Sequence, residues 1–390
     1  LLIYVVFKFT AQRGLDTSLD ESKSKYKVAH WLQEVARSIV SFKLSGKTSH
    51  ALDKNDTLVV GYLNAREGHF RVLVLQFIQM IGFKVLVTGG LLLIGGLLVL
   101  NQEMNIGQFV AAEIIILLVI NSVEKLILGL ETFYDLLTSL EKMGQVVDKE
   151  LEPQEGEKPF TENQSFTIEL SDISYSVPEP KREIISNLDL KITPNCTILL
   201  RGKSGSGKNT LLRIIAGILE PDSGGVYVNG VSLKGMNLNY YRSHLGQSLP
   251  EESPFEGTIL NNITFGDKDT TIEQVYWALD KVGLTEFVKK QPDGLNTVLY
   301  PEGKQIPYAI SKKIVLARSI VRKPKLLILK DPLDQFNTEE ADRILNFLSD
   351  SSNGWALLVV SENDKWIKKC SRIITMDKGR IVNEIEGKDA

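Results

Sequence analysis

Cysteine is scarce in this 390-residue chain, and its two copies, Cys196 and Cys370, stand far apart with no metal-ligand spacing. That excludes a disulfide framework and a cysteine-built metal centre, and it reads as two free thiols in a reducing compartment. Charge of one sign is also missing: 45 Lys and Arg face 48 Asp and Glu, so no field draws in nucleic acid. The opening run Leu-Leu-Ile-Tyr-Val-Val-Phe has neither an initiator Met nor a basic segment before it. It is therefore not read as a signal peptide, and the expectation is a piece of a longer chain that starts inside a membrane helix.

What the chain has instead is one phosphate-cradle motif and two long apolar runs. Gly202, Lys203, Ser204, Gly205, Ser206, Gly207, Lys208, Asn209 and Thr210 follow an apolar strand-like run at 197–200 and open a helical pattern at 211–219. A strand, a glycine-rich loop and a helix in that order turn free backbone N–H groups and a positive helix end toward one anion, and a lysine adds a point charge. The pattern holds through Lys208. It then calls for a Ser or Thr hydroxyl to hold Mg²⁺, and the chain has Asn209.

Residues 70–100 and 106–130 are mostly apolar and are joined by Asn101-Gln102-Glu103-Met104-Asn105. A crossing needs about 20 apolar residues, so the two runs predict a membrane hairpin. The link lacks Lys and Arg, whereas Arg66 and Arg71 precede the hairpin and Lys142 follows it, which predicts an external link and cytoplasmic ends. Lys84 and Glu124 fall roughly 24 and 28 Å below the outer ends of their spans at about 1.5 Å per residue, and are expected to pair. Glu113 is left over, to line a cavity or meet a neighbouring helix. Residues 10–71 are polar with apolar residues at helical spacing (Val28, Trp31, Leu32, Val35, Ile39, Phe42) and predict helices protruding into water.

The composition turns acidic and proline-bearing near 150–157, which predicts a solvated linker. Apolar strand-like runs at 166–170, 197–200, 225–228, 326–329, 356–360 and 373–376 then alternate with helical stretches such as 272–282 and 314–321, predicting an α/β domain around a largely parallel sheet. The domain reading is 1–147 for the helical membrane part, 148–165 for the linker and 166–390 for the nucleotide-binding domain.

A membrane hairpin, a linker and a P-loop domain in one chain resemble an exporter-type half-transporter of the ABC superfamily. The segments Met104-Asn105-Ile106-Gly107-Gln108, Pro221-Asp222-Ser223-Gly224-Gly225-Val226-Tyr227-Val228-Asn229-Gly230 and Phe255-Glu256-Gly257-Thr258-Ile259-Leu260-Asn261-Asn262-Ile263 are similar to family landmarks in order and spacing. The resemblance implies an α-helical transmembrane domain, here partial, followed by an α/β P-loop NTPase domain with a helical subdomain. It implies that 10–71 extends the fourth and fifth membrane helices, with the first three absent, and that a short helix at 53–63 meets a nucleotide-binding domain. It further implies ATP as the cofactor, a second half-transporter (identical or different) and the lipid bilayer as partners, and no nucleic acid. The implied location is the inner (cytoplasmic) membrane, multi-pass, with the nucleotide-binding domain in the cytoplasm. The transported substrate is not named by anything in the sequence.

Set against the family pattern, the chain departs wherever metal, water or γ-phosphate is handled. Tyr175 lies two residues before the aromatic that stacks on adenine, whose own position is Val177. Pro250 stands for a Gln, and Ile306-Pro307-Tyr308-Ala309-Ile310 for Leu-Ser-Gly-Gly-Gln. Lys330 replaces the metal-binding Asp, Asp331 is the candidate at the Glu position, and Ser361 sits at the switch His. Leu333-Asp334-Gln335-Phe336-Asn337 takes the place of Thr-Ser-Ala-Leu-Asp. The expectation is ATP-coupled export with a hydrolysis-impaired site that holds ATP with or without Mg²⁺ and has no metal ligands of its own. The alternative is a catalytically silent partner or scaffold subunit.

Overall fold

The structure, a computed structural model, describes residues 2–46, 48–153, 155–160, 164 and 166–386. It divides into two compact units, 1–151 and 152–390.

The first unit is helical: α1 (Leu2–Arg37), α2 (Ile39–Leu44), α3 (His50–Leu100) and α4 (Ile106–Val147). The 101–105 link ends α3, and Asn105 starts α4 with a reciprocal cap. Its side chain accepts from the Gln108 N–H at 2.8 Å, and the Gln108 side chain accepts from the Asn105 N–H at 3.1 Å. Two of the orphan N–H groups of a helix start are thereby satisfied. Among the described residues, α3 is the helix long and apolar enough to cross a membrane, and Ile106–Ser122 is a shorter apolar stretch.

Residues 53–63 do not form a separate short helix; they are interior to α3, and the short helix is α2. The break falls earlier because the first positive-φ residue after α2 is Gly46 at φ +75, whereas 53–63 contains no such residue. Of the apolar row expected to face inward, Trp31 is buried, donating its ring N–H to the Ala51 carbonyl at 3.1 Å, while Leu32 and Ile39 are exposed.

Polar pairs tie the long helices together. Thr17 meets His69 Nδ1 at 2.9 Å, Ser18 meets Thr138 at 3.0 Å, and the Gln76 amide donates to the Tyr134 hydroxyl at 3.2 Å. The expected pair between α3 and α4 is present, with Lys84 Nζ 3.2 Å from Glu124 Oε2. Glu113 forms no ion pair with any described residue. Two glycines allow close approach: a Cβ at Gly14 would lie 2.5 Å from the Tyr134 ring, and one at Gly95 2.5 Å from Phe109.

The second unit begins inside the stretch read as a solvated linker. Its Glu157 N–H donates to the Gly235 carbonyl at 3.0 Å, and Phe160 is buried against Phe166, Tyr240 and His244. The aromatic side chain outweighs the surrounding charge, because hiding it from water is worth about 1.5–3 kcal/mol. Next come β1 (Ile168–Val177), β2 (Arg182–Ile192), β3 (Thr197–Arg201), α5 (Lys208–Ile215), β4 (Ser223–Val228), β5 (Val231–Ser232), α6 (Leu238–Ser243) and β6 (Leu245–Ser248). A helical region follows, with β7 (Gly257–Thr258), α7 (Ile259–Thr264), α8 (Ile272–Val282), α9 (Thr285–Lys289), β8 (Val298–Leu299) and α10 (Tyr308–Ile320). The chain returns through β9 (Leu326–Lys330), α11 (Thr338–Leu348), β10 (Ala356–Val360), β11 (Arg372–Asp377) and β12 (Arg380–Glu386).

The main sheet has the order β12-β11-β3-β10-β9-β6, parallel from β11 to β6, with β12 antiparallel at the edge. A second, antiparallel sheet runs β2-β1-β4-β5. The period-2 alternation of strands divides the core. Ile198, Leu200 and Leu358 join Leu211, Leu212 and Ile215 of α5 and the antiparallel sheet, while Leu199, Leu357 and Val359 join α8, α10 and α11 on the opposite face.

Candidate nucleotide site

The cradle forms where β3 ends at the carboxyl edge of the parallel sheet and α5 begins. Its glycines are dictated by crowding: a Cβ at Gly202 would lie 2.1 Å from the Met376 carbonyl oxygen, and Gly207, at φ +97, would meet Ile184 O at 2.9 Å. Neither backbone position accepts a side chain. The buried Ser206 braces the loop, its carbonyl accepting from the Gly379 N–H at 3.0 Å, and the Gly379 carbonyl in turn accepts from Ser186.

Lys208 is curled over the loop and donates to the carbonyls of Gly202 and, at 3.0 Å, Lys203. Its ammonium is held below the usual lysine pKa, chiefly by partial burial and further by the Lys330 charge, against the opposing pull of Glu362 and Asp331. Lys203, Ser204 and Asn209 are exposed, Thr210 is half-buried, and Gly205 adopts φ +81. Tyr175 lies on β1 opposite Ile185, whose side chain is among the atoms crowding Gly207, and its ring packs on the core beside the cradle.

The other candidates gather at the ends of the neighbouring strands. Lys330 is the last residue of β9 and pairs in register with Val360. Asp331 follows at φ +45, with its N–H on the Val360 carbonyl at 2.9 Å. Its carboxyl is raised above the usual range, first by burial and then by Asp334, while a side-chain hydrogen bond from the buried Ser361 opposes the rise. Asp331 and Ser361, 30 positions apart in the sequence, are thus neighbours at the ends of β9 and β10, and the Ser361 hydroxyl accepts the Asn363 N–H at 3.2 Å. Glu362, which the sequence reading did not single out, adds a carboxylate tied to Arg201 at 3.7 Å. The resemblance already pointed to Asp331 and Ser361; Glu362 joins them only once β9 and β10 are known to be adjacent.

Pro250 follows β6 at the same carboxyl edge, next to β9 (Ser248 pairs in register with Leu329), but offers no side-chain ligand, and the 306–310 segment leads into α10. Beside Pro250, Glu251 bonds to Arg213, and Glu252 faces Arg318 at 3.7 Å and accepts the Leu249 N–H at 3.1 Å. Pro307 precedes α10 as an N-cap without a side-chain acceptor, and Tyr308 is exposed. Asn337 ends the Leu333–Asn337 stretch as the N-cap of α11, accepting from the Glu340 N–H at 2.9 Å.

A triphosphate suits this donor set: a glycine cradle that side chains would fill, a helix start and a lysine held over it. Mg²⁺ does not. It favours carboxylate, hydroxyl and water oxygens in near-octahedral array, and the two protein positions that would supply them carry an exposed amide, Asn209, and an ammonium, Lys330. Among the described residues no three His, Cys, Asp or Glu side chains converge on a metal-sized site.

Comparison with known proteins fits this geometry. A family model described as "ABC transporter" matches residues 185–334. The chain is 31% identical over 236 residues to an ABC multidrug transporter of Trichophyton interdigitale, covering 60% of this chain and 18% of that one. It is 26% identical over 365 residues to the alpha-hemolysin translocation ATP-binding protein HlyB of Escherichia coli, covering 92% of this chain and 51% of that protein. The chain therefore spans between about a fifth and a half of these relatives. A solved bacterial Atm1-family ABC exporter with ATP bound superposes with a TM-score of 0.86 at 16% identity, over 99% of this chain and 67% of that one. Residues 185–334 thus carry an ABC transporter domain, and the chain as a whole has the fold of an exporter-type half-transporter.

Proposed function

We propose that this chain supplies the end of a membrane domain and one ATP-binding domain of an exporter, paired with a second half in a multi-pass assembly whose nucleotide-binding domains face the cytoplasm. On this reading its own site holds ATP and turns it over slowly. The relatives are transporters and translocation proteins by name. One observation carries the finer part: the loop with Lys208 is complete, while Asn209, Lys330 and Ser361 stand at the metal and water positions. Bound ATP supplies the binding energy that brings two nucleotide-binding domains together. The residues here do the rest: loop N–H groups and Lys208 orient the phosphates, and Tyr175 offers an aromatic face. Removal of one charge-stabilising group costs roughly 10²–10³ in rate, and losses within one catalytic unit do not add.

The test is ATP turnover by the purified chain in lipid. A rate far below that of an intact family exporter is expected, with a rise when Asn209→Ser, Pro250→Gln, Lys330→Asp and Ser361→His are combined with a rebuilt signature at 306–310. Family-like turnover by the unaltered chain would overturn the impaired-site reading. A silent partner or scaffold role is favoured by Pro307 and Tyr308 at the start of α10, where a neighbour's γ-phosphate would need a hydroxyl and glycines. That role predicts no ATP affinity at all.

A further inference from the structure

The carboxyl edge of the parallel sheet presents two lysines to one space. β3, which delivers the cradle and Lys208, is separated from β9, which ends in Lys330, by β10 alone. With strands about 4.8 Å apart the two strand ends are about 10 Å from each other, a gap that two lysine side chains can reach across. Lys330 is half-buried, its backbone belongs to the β9 ladder, and its ammonium makes no hydrogen bond or ion pair with any described residue. The carboxylates around it have other partners or are solvated: Asp331, which the Lys330 charge reaches, is partly buried beside Ser361, Glu362 is drawn to Arg201 at 3.7 Å, and Asp334 is exposed. An ammonium held at a strand end near a second ammonium, with no carboxylate bonded to it, is incompletely neutralised, and a ligand that brings an anion offsets that cost. After burial, the Lys330 charge disfavours the protonated form of Lys208, while Glu362 and Asp331 act in the opposite sense.

We propose that Lys330 substitutes for the metal ion: its ammonium pairs with the phosphate chain of a nucleoside triphosphate held on Gly202–Thr210, so that the site selects the metal-free nucleotide. This rests on the reading that the cradle binds ATP. It adds that the form bound is not the Mg²⁺ complex. A divalent ion bound to the phosphates removes the negative charge that two lysines would otherwise meet, and it would sit against the Lys330 cation. Excess Mg²⁺ therefore weakens binding, the reverse of a site that requires the metal.

The test is equilibrium titration of the full chain in lipid nanodiscs with ATP, once in EDTA and once in excess Mg²⁺. Binding in EDTA is expected to equal or exceed binding in Mg²⁺. Lys330→Gln should weaken the EDTA affinity roughly ten-fold or more, the scale of one charge-assisted hydrogen bond, whereas Lys330→Arg should retain it and Lys330→Asp should make binding depend on Mg²⁺. A strict Mg²⁺ requirement in the unaltered chain, or an EDTA affinity that Lys330→Gln leaves unchanged, overturns the role of Lys330 and leaves the ATP-binding reading standing. No binding in either condition overturns both. The unaltered chain alone decides the metal preference, so the outcome does not depend on any variant folding.

Discussion

The two units solve burial in opposite ways. In the α/β unit the central strands hide their side chains completely: Ile198, Leu199, Leu200, Ile328 and Leu358 have no exposed surface. In the helical unit Leu86, Leu93, Leu100 and Ile115 are each more than half exposed, and most of what is buried there is polar or small: Ser18, His69, Gln76, Thr138, Gly14 and Gly95. The first pattern is that of a core made by expelling water. The second is that of helices surrounded by apolar material, where association rests on close backbone approach and interhelical hydrogen bonds because hydrocarbon is as apolar as leucine. One unit completes its core within the chain, and the other presents an apolar surface that lipid or further helices would cover.

The comparison is broken or sharpened first by truncating one leucine in each unit. Leu200→Ala should destabilise the α/β unit by about 2–5 kcal/mol, the range for emptying a packed core site. Leu93→Ala should change stability in lipid by less than about 0.5 kcal/mol, as for surface sites. Denaturant unfolding followed by the fluorescence of Trp355 and Trp366, both buried in the α/β unit, reads the first effect. Helix content of the lipid-embedded chain reads the second. Equal costs would remove the distinction between the units.

The next effect in size concerns Lys84 and Glu124. Lys84→Met leaves a carboxylate without its cation, and a loss of about 1–2 kcal/mol is expected, at the upper end of polar contacts between membrane helices. Combining it with Glu124→Leu should recover most of the loss, and the double-mutant cycle isolates the pair. Additive costs in the cycle would mean that the 3.2 Å contact carries no energy.

This pair was legible in the sequence because depth along a regular helix is arithmetic: a fixed rise per residue placed Lys84 and Glu124 at similar levels. The P-loop was legible for a related reason, since a strand, a glycine loop and a helix are contiguous. The main-sheet strands at 326–329 and 356–360 and the helix at 272–282 followed from apolar periodicity. β2 was not found, because Arg182, Glu183, Asn187, Asp189 and Lys191 interrupt its pattern while it pairs with β1 in a sheet exposed on one side. Phe160 was hidden by the acidic, proline-bearing composition around it. The neighbourhood of Asp331 and Ser361, and of Lys208 and Lys330, depends on strand order, which no local pattern encodes. The short helix at 53–63 was implied by the resemblance and not read from the residues, and only the backbone at Gly46 shows where the break falls.

The smallest predicted effect tests the α/β unit by pH. Burial raises the Asp331 carboxyl, Asp334 adds to the rise and Ser361 opposes it. A carboxyl raised on folding binds its proton more tightly in the folded than in the unfolded state, so its contribution to stability is present below the unfolded pKa and is lost as pH climbs through the folded one. The window lies just above the ordinary carboxylate range. Glu152 has the opposite sign: the Arg242 guanidinium, bonded to its two oxygens at 2.7 and 2.6 Å, lowers its pKa, so its contribution is present above the unfolded value and lost as pH falls through the folded one. Both groups are reached by solvent, which shrinks either effect. Asp331→Asn should flatten the decline of stability with rising pH, and Glu152→Gln should flatten the decline with falling pH, in the same Trp355 and Trp366 fluorescence. If Asp331→Asn instead steepened the fall on the alkaline side, the carboxylate would be stabilised where it sits, and the argument from burial at the end of β9 would be wrong.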